Sequence, residues 1–448
     1  MTVKQSQTQS RYEGLDLLKA LAITFVCLEH SHRPFFIKYR PRWEHVIGNL
    51  GSSATPIFLF TTGFLQATVI QRKQNEVTED HSGKGLVLLH YTASQDQSEK
   101  GVDEDETSLI SRNERLSISI EQDHGTEASS SGRQERPKIT PFINELRTKT
   151  LKRLLIPYAI VAGTLGTFIQ TKKMKLRGRK LLDHIIRFFL FKTRGPYYYI
   201  FIATLCVILL PNLYRACSHN AKSASIAISV SVIFRYLCIY FLPREPFFLP
   251  LLFFRYVVFY ILGVSYKLHW YEVFGNSANG DEVNLNKGIA VVFILLISLP
   301  FLLATHQFME NIYLQLVLDF WRHVAFMGVA ILTSHLRNSQ ADDCQKETST
   351  SLCAKIQSFS NPLFVKILSD MSYTILLYHL YFIEAYYEMI SWPQSINDDD
   401  EDAPTIYRFI IRALWGLFGG LGVGIFGIIL LGKKQAFRLL GAKLPPLI

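Results

Sequence analysis

The chain has 448 residues, of which 49% are hydrophobic and only 19% charged, and its mean hydropathy is positive at +0.16. The charges gather in a few connecting stretches and leave long apolar runs between them. This excludes an ordinary soluble enzyme and predicts an all-α fold, a polytopic bundle of transmembrane helices. A net charge of +10 does not point to nucleic acid here, because Lys and Arg flanking apolar spans at anionic leaflets account for it.

In chain order the apolar runs mark about ten spans, near 15–31, 51–70, 154–170, 197–213, 223–242, 250–268, 288–305, 312–334, 371–391 and 407–431. Each is expected to be a helix, since an open strand cannot satisfy its backbone in lipid. The runs are continuously apolar rather than alternating, which argues against a barrel. No small-residue cleavage site is clear near the N-terminus, so span 1 reads as an uncleaved signal anchor.

The expected organisation is helices 1 and 2 over 1–71, a polar insertion over 72–146, helices 3 to 10 over 147–431, and a basic tail over 432–448. The insertion is rich in Ser, Glu, Gln, Asp and Gly and reads as a disordered cytoplasmic loop. Basic residues in the 335–370 loop and the tail, with an acidic 392–406 loop, favour cytoplasmic termini. The basic 171–194 loop disagrees, because it falls on the far side in this scheme. The plasma membrane and the endoplasmic reticulum are the expected locations. The six cysteines form no C-x-x-C pair and read as reduced core thiols.

Span 1, GLDLLKALAITFVCLEHSH over 14–32, carries Asp16 and Lys19 at one end and Glu29 and His30 at the other. Eleven helical steps separate Lys19 from His30, which returns them to one face about 16 Å apart. Ionisable groups on one stripe of a membrane helix are costly and mark a cavity or pathway. An imidazole can take a proton from a hydroxyl near physiological pH. Read singly, His30 also fits an interfacial histidine, and Asp16 with Lys19 a snorkelling end pair.

Before span 3 runs a basic stretch, Arg147, Lys149, Lys152 and Arg153. It reads either as a positive-inside flank or as a clamp for the phosphates of a nucleotide-bearing donor. His379 lies inside span 9 and is expected to face the bundle interior. Asp319 and Arg322, three apart, read as an internal structural pair. Arg255 and Glu384 also fall within spans, without an assigned role. The chain has no Gly-rich phosphate loop, no G-x-S-x-G, no H-E-x-x-H and no Cys/His zinc spacing, so no metal site is expected.

Together these segments resemble the membrane-bound acyltransferase family 3. The family's first helix carries a basic residue, ten residues, then His, as Lys19 and His30 do here after Leu15–Asp16. PIFLFTTGFL over 56–65 is similar to its Phe-rich second span, with Thr62 in place of Ser. KTLKRLLIPY over 149–158 resembles the basic run into a Pro-aromatic turn, and Lys149 and Lys152 fit its spacing best. RGPYYYIF over 194–201 is similar to Gly-Pro-x-Trp-aromatic, with Tyr for Trp. SYTILLYH over 372–379 matches the segment near span 9 closely.

The resemblance implies an O-acyltransferase that takes acyl-CoA as donor substrate, holds no bound cofactor, and acylates an unknown hydroxyl acceptor. His30 would act as general base or carry the acyl group, with Lys19 and Asp16 beside it. Lys149, Lys152 and Arg153 would meet the donor's phosphates, and His379, Tyr373 and Glu29 would line the cavity. Two other readings stand beside it: a secondary transporter with an intramembrane charged pathway, and an inactive scaffold of the same fold.

Overall fold

The computed structural model describes residues 13–31, 51–83, 140–168, 179–189, 197–241, 249–270, 314, 317–325, 327–328, 362–391 and 406–443. Every regular element among them is a helix. They are α1 (Glu13–His30), α2 (Ala54–Gly83), α3 (Thr140–Ile160), α4 (Arg179–Phe189), α5 (Tyr198–Ile208), α6 (Leu210–Ser218), α7 (Ala221–Phe241), α8 (Leu249–Ser265), α9 (Pro362–Ser391) and α10 (Ile406–Leu440). A further helical stretch covers 317–325. The expected span at 288–305 lies outside the described residues, and 312–334 is described only in part.

Two of these helices are long and apolar enough to cross a membrane, Ala221–Ile239 and Phe409–Leu440, and a third candidate is the bent pair α5–α6. That pair corresponds to the expected single span 197–213, but it breaks by 63° at Leu209. Pro211 opens the second half, where a missing N–H costs nothing. At the start of α7, the Asn220 side chain accepts from the Ser223 N–H at 2.7 Å while Ser223 Oγ accepts from the Asn220 N–H. This reciprocal cap fixes where the helix begins.

The chain divides into two units, Met1–Gln71 with Thr140–Ile448, and Arg72–Ile139. Both edges of the 72–146 stretch, read from the sequence as disordered, are helical: α2 runs on to Gly83 and α3 starts at Thr140. Local pairs favour helix there. Arg72 and Lys73 both meet Glu76, and Lys149 meets Glu145 one turn away. Residues 84–139 lie outside the described set.

In the first unit, α9 packs against both α1 and α10. Its buried positions Leu368, Met371, Ile375, His379 and Ile383 recur at helical spacing. α10 answers with Gly416, Gly420 and Gly424. A Cβ at Gly420 would sit 2.8 Å from Ile375 Cα, and one at Gly424 would sit 2.7 Å from Met371 Sδ. α2 and α8 cross as closely, through Gly63 against the Tyr260 carbonyl and Gly263 against the Phe60 carbonyl. Small residues at four-residue spacing let membrane helices approach backbone to backbone.

α3 contains Pro157 and widens into a π-helical turn over Val161–Gly166. Proline removes the N–H that would bond one turn back, and the wider turn absorbs the mismatch. The basic 171–194 loop contains a helix rather than a plain connection. Leu182, Ile185, Ile186 and Phe189 of α4 form an exposed apolar stripe, while Arg187 pairs with Asp183 at 2.8 Å. Phe188 faces the other way, stacked on Tyr158 at 5.4 Å. This pattern suits a helix lying in a membrane interface.

Candidate functional site

α9 is the element on which the site is built. Its residues reach five partners. Ser369 donates to Asp16 Oδ1 of α1 at 2.6 Å. Tyr373 donates to the Leu154 carbonyl of α3 at 2.5 Å. Thr374 donates to the Leu440 carbonyl at 3.1 Å. Tyr197 donates to the Leu377 carbonyl at 2.8 Å, and Tyr381 reaches the Val161 carbonyl at 3.5 Å. Three separate helices, the residue that caps α5 and the wide turn after α3 thus fix its position and rotation.

α1 packs against α9 and α10, and Leu15, Leu18, Ala22 and Val26 form a buried stripe of helical spacing on it. At one end Asp16 is buried against Ser369, and Lys19 is half-buried. At the other end His30 meets His379. Their ring centroids are 5.3 Å apart with planes at 39°. His379 is fully buried and His30 half-buried. His379 Nδ1 lies 3.1 Å from the Ile375 carbonyl and 3.0 Å from the Leu376 carbonyl. A carbonyl only accepts, so Nδ1 carries the proton and a neutral His379 presents the lone pair of Nε2.

Glu29 is turned away from this pair by one helical step. Gly51 packs on its side chain, and the carboxylate lies in the field of Arg322. Arg322 belongs to a buried charged cluster contributed by three segments. Asp319 accepts from Arg235 Nη2 at 2.7 Å and from Arg322 Nη2, and His323 Nε2 lies 3.5 Å away. Arg235 also donates to the Arg255 carbonyl. Arg322 Nη2 donates to Ser52 Oγ at 2.8 Å, and His323 Nδ1 and Ser53 Oγ are 3.0 Å apart. Asp319 and Arg322 pair as their spacing predicts. Arg235, His323, Ser52 and Ser53 escape a sequence reading, although an arginine inside the apolar run 223–242 is itself a signal.

The basic stretch lies within α3. Lys149, Lys152 and Arg153 fall within one third of a helical turn of each other's direction. Lys149 is exposed and paired with Glu145 at 2.5 Å. Lys152 is exposed, and the Arg153 guanidinium sits 5.0 Å from the centroid of the Phe437 ring. Two of the three cations therefore have partners within the protein. The Tyr373 hydroxyl is spent on the Leu154 carbonyl, and its ring covers Gly441, so it acts as a tie between helices.

Among the described residues no group of His, Cys, Asp and Glu is arranged to hold a metal ion. Cys27, Cys206 and Cys217 are free and buried, and Cys238 is free. The arrangement offers two adjoining chemistries: a pair of imidazoles for proton or acyl transfer, and a cationic cluster one residue away along α1. No family model, curated protein or solved structure matches the chain.

Proposed function

We propose that the protein is a multi-pass membrane O-acyltransferase, moving an acyl group, expected to be acetyl, from acyl-CoA to a hydroxyl of a glycan, lipid or small molecule. The observation that carries the reading is the His30–His379 pair. Two helices distant in sequence bring two imidazoles together in an apolar bundle, where isolated polar groups are expensive and tend to be functional. Membrane residence is supported by α7 and α10, whose apolar side chains, such as Ile233 and Ile429, face outward.

In the proposed reaction the acceptor hydroxyl gives its proton to the imidazole of His30 as its oxygen attacks the thioester carbonyl. The new C–O bond forms, the C–S bond breaks, and the departing thiolate recovers the proton from the imidazolium. His379, with its proton held on Nδ1 by two carbonyls, packs its ring against His30 and orients it. Lys19 and Asp16 set the field at the other end of the same helix. Lys149, Lys152 and Arg153 meet the donor's phosphates, with Lys152 exposed and the other two exchanging their present partners.

The test is incubation of membranes containing the protein with acyl-labelled acetyl-CoA. Label should appear in an alkali-labile ester on a lipid, glycan or small molecule, and should be absent from membranes lacking the protein. Gradient-driven uptake of a solute with no label transfer would replace the reading with a transporter.

A further inference from the structure

The arginine cluster next to Glu29 has more positive charge than its own carboxylates neutralise. Arg235, Arg255 and Arg322 lie in the field of Asp319, and Arg322 also in that of Glu29, which leaves one cation in excess before His323 is considered. Two of the guanidiniums are covered by rings. Arg235 lies 5.2 Å from the Phe259 centroid and 5.9 Å from those of Tyr256 and Phe320, and Arg255 lies 5.6 Å from that of Tyr256. Cation–π contacts of this kind replace part of the lost hydration.

Arg322 differs. It is 1% exposed, its Nη2 is held by Ser52 and Asp319, and its Nε and Nη1 have no hydrogen-bond partner. A guanidinium has five N–H donors in a rigid planar fork that matches carboxylate and phosphate oxygens. Leaving donors of a buried cation unpaired is costly. The Ser52 hydroxyl and the Asp319 carboxylate hold one side of the fork in place, so the open donors are pre-oriented.

We propose that Arg322, held by Ser52 and Asp319 and flanked by Arg235 and Arg255, binds an oxyanion, a carboxylate or a phosphate, on a molecule brought to the His30–His379 pair. The inference rests on the acyltransferase reading and gives it a substrate class. Glu29 adjoins His30 in the chain and its carboxyl group lies in the field of Arg322, so an oxyanion bound here would sit at the same end of α1 as the imidazoles. Lys19, Asp16 and the α3 cations belong to the opposite end of α1. The geometry therefore assigns the oxyanion to the acceptor, which becomes an anionic hydroxyl compound. The same chemistry is present in the phosphates of coenzyme A, and the experiment separates the two.

The experiment is thermal unfolding of the full-length protein in nanodiscs, titrated with inorganic phosphate against chloride at constant ionic strength. A saturable rise in the wild-type midpoint is expected. Arg322→Gln should abolish it, and Arg322→Lys, which keeps the charge but loses the fork, should weaken apparent phosphate affinity about tenfold. If neither variant folds, Ser52→Ala decides, because it loosens Arg322 without removing charge and should weaken phosphate several-fold. Absence of a phosphate-specific rise in the wild type overturns the proposal. So does undiminished affinity in Arg322→Gln, or in Ser52→Ala where that variant decides. Displacement of phosphate by coenzyme A assigns the oxyanion to the donor, and simultaneous binding assigns it to the acceptor. Because the readout is binding, a phosphate site in a protein without acyl transfer would refute the enzyme reading alone. Acyl transfer without a phosphate site would refute this inference alone.

Discussion

Replacing Asp319 with Asn should destabilise the protein more than any other single isosteric change. The carboxylate serves Arg235 at 2.7 Å, Arg322 and His323, and both arginine side chains are only 1% exposed. Asn keeps the shape and one acceptor oxygen but removes the charge that two buried guanidiniums share. Breaking a buried pair by removing one partner costs roughly 3–5 kcal/mol. Hydrogen bonds inside membranes measure smaller, about 0.6–2 kcal/mol each, because the unfolded chain in lipid finds other partners. Two charge-assisted contacts at about 1.5 kcal/mol each, with Glu29 left as the cluster's remaining carboxylate, give about 3 kcal/mol, or about a hundredfold in the folding equilibrium. The assay is equilibrium unfolding in mixed micelles titrated with SDS. The double variant Asp319→Asn, Arg235→Met should recover part of the loss, because it withdraws one of the stranded cations. A loss below about 0.5 kcal/mol in Asp319→Asn would refute the claim that this carboxylate holds the cluster together.

Three further predictions follow from packing and surface. Gly420→Leu drives a side chain into the Ile375 backbone and should cost roughly 1–3 kcal/mol or more in the same SDS titration, whereas Gly422→Ala, which meets nothing within 4 Å, should be nearly silent. Tyr197→Phe removes the donor to the Leu377 carbonyl and should cost about 1 kcal/mol while leaving span packing unchanged by disulfide cross-linking. A tryptophan at the exposed Phe189 of α4 should be quenched by lipids brominated near the headgroup. Unquenched fluorescence would place that stripe away from the bilayer interface.

What the sequence reveals follows the range of the forces involved. The α1 stripe is legible because helical period alone puts Lys19 and His30 on one side. The interior place of His379 is legible from the cost of an imidazole in an apolar run. Their meeting is not, because it depends on Ser369 locking to Asp16 and on glycines drawing α10 onto α9, contacts between distant segments. The Arg235–Asp319–Arg322 cluster escapes for the same reason, with only the i,i+3 pair visible locally. The break at Leu209 had a local sign in Pro211, which an apolar run masks. The helical edges of the 72–146 stretch had one too, in i,i+4 charge pairs outweighed by a polar composition.

The central claim is that His30 takes part in acyl transfer. It is tested most directly by the rate of coenzyme A thiol release, coupled to ester formation, in purified nanodisc protein supplied with acetyl-CoA and a membrane extract as acceptor source. Wild type is compared with His30→Gln at matched folded amounts. The account predicts that the substitution lowers the rate at least a hundredfold, within the range for removing a general base. An equal rate in His30→Gln would contradict it.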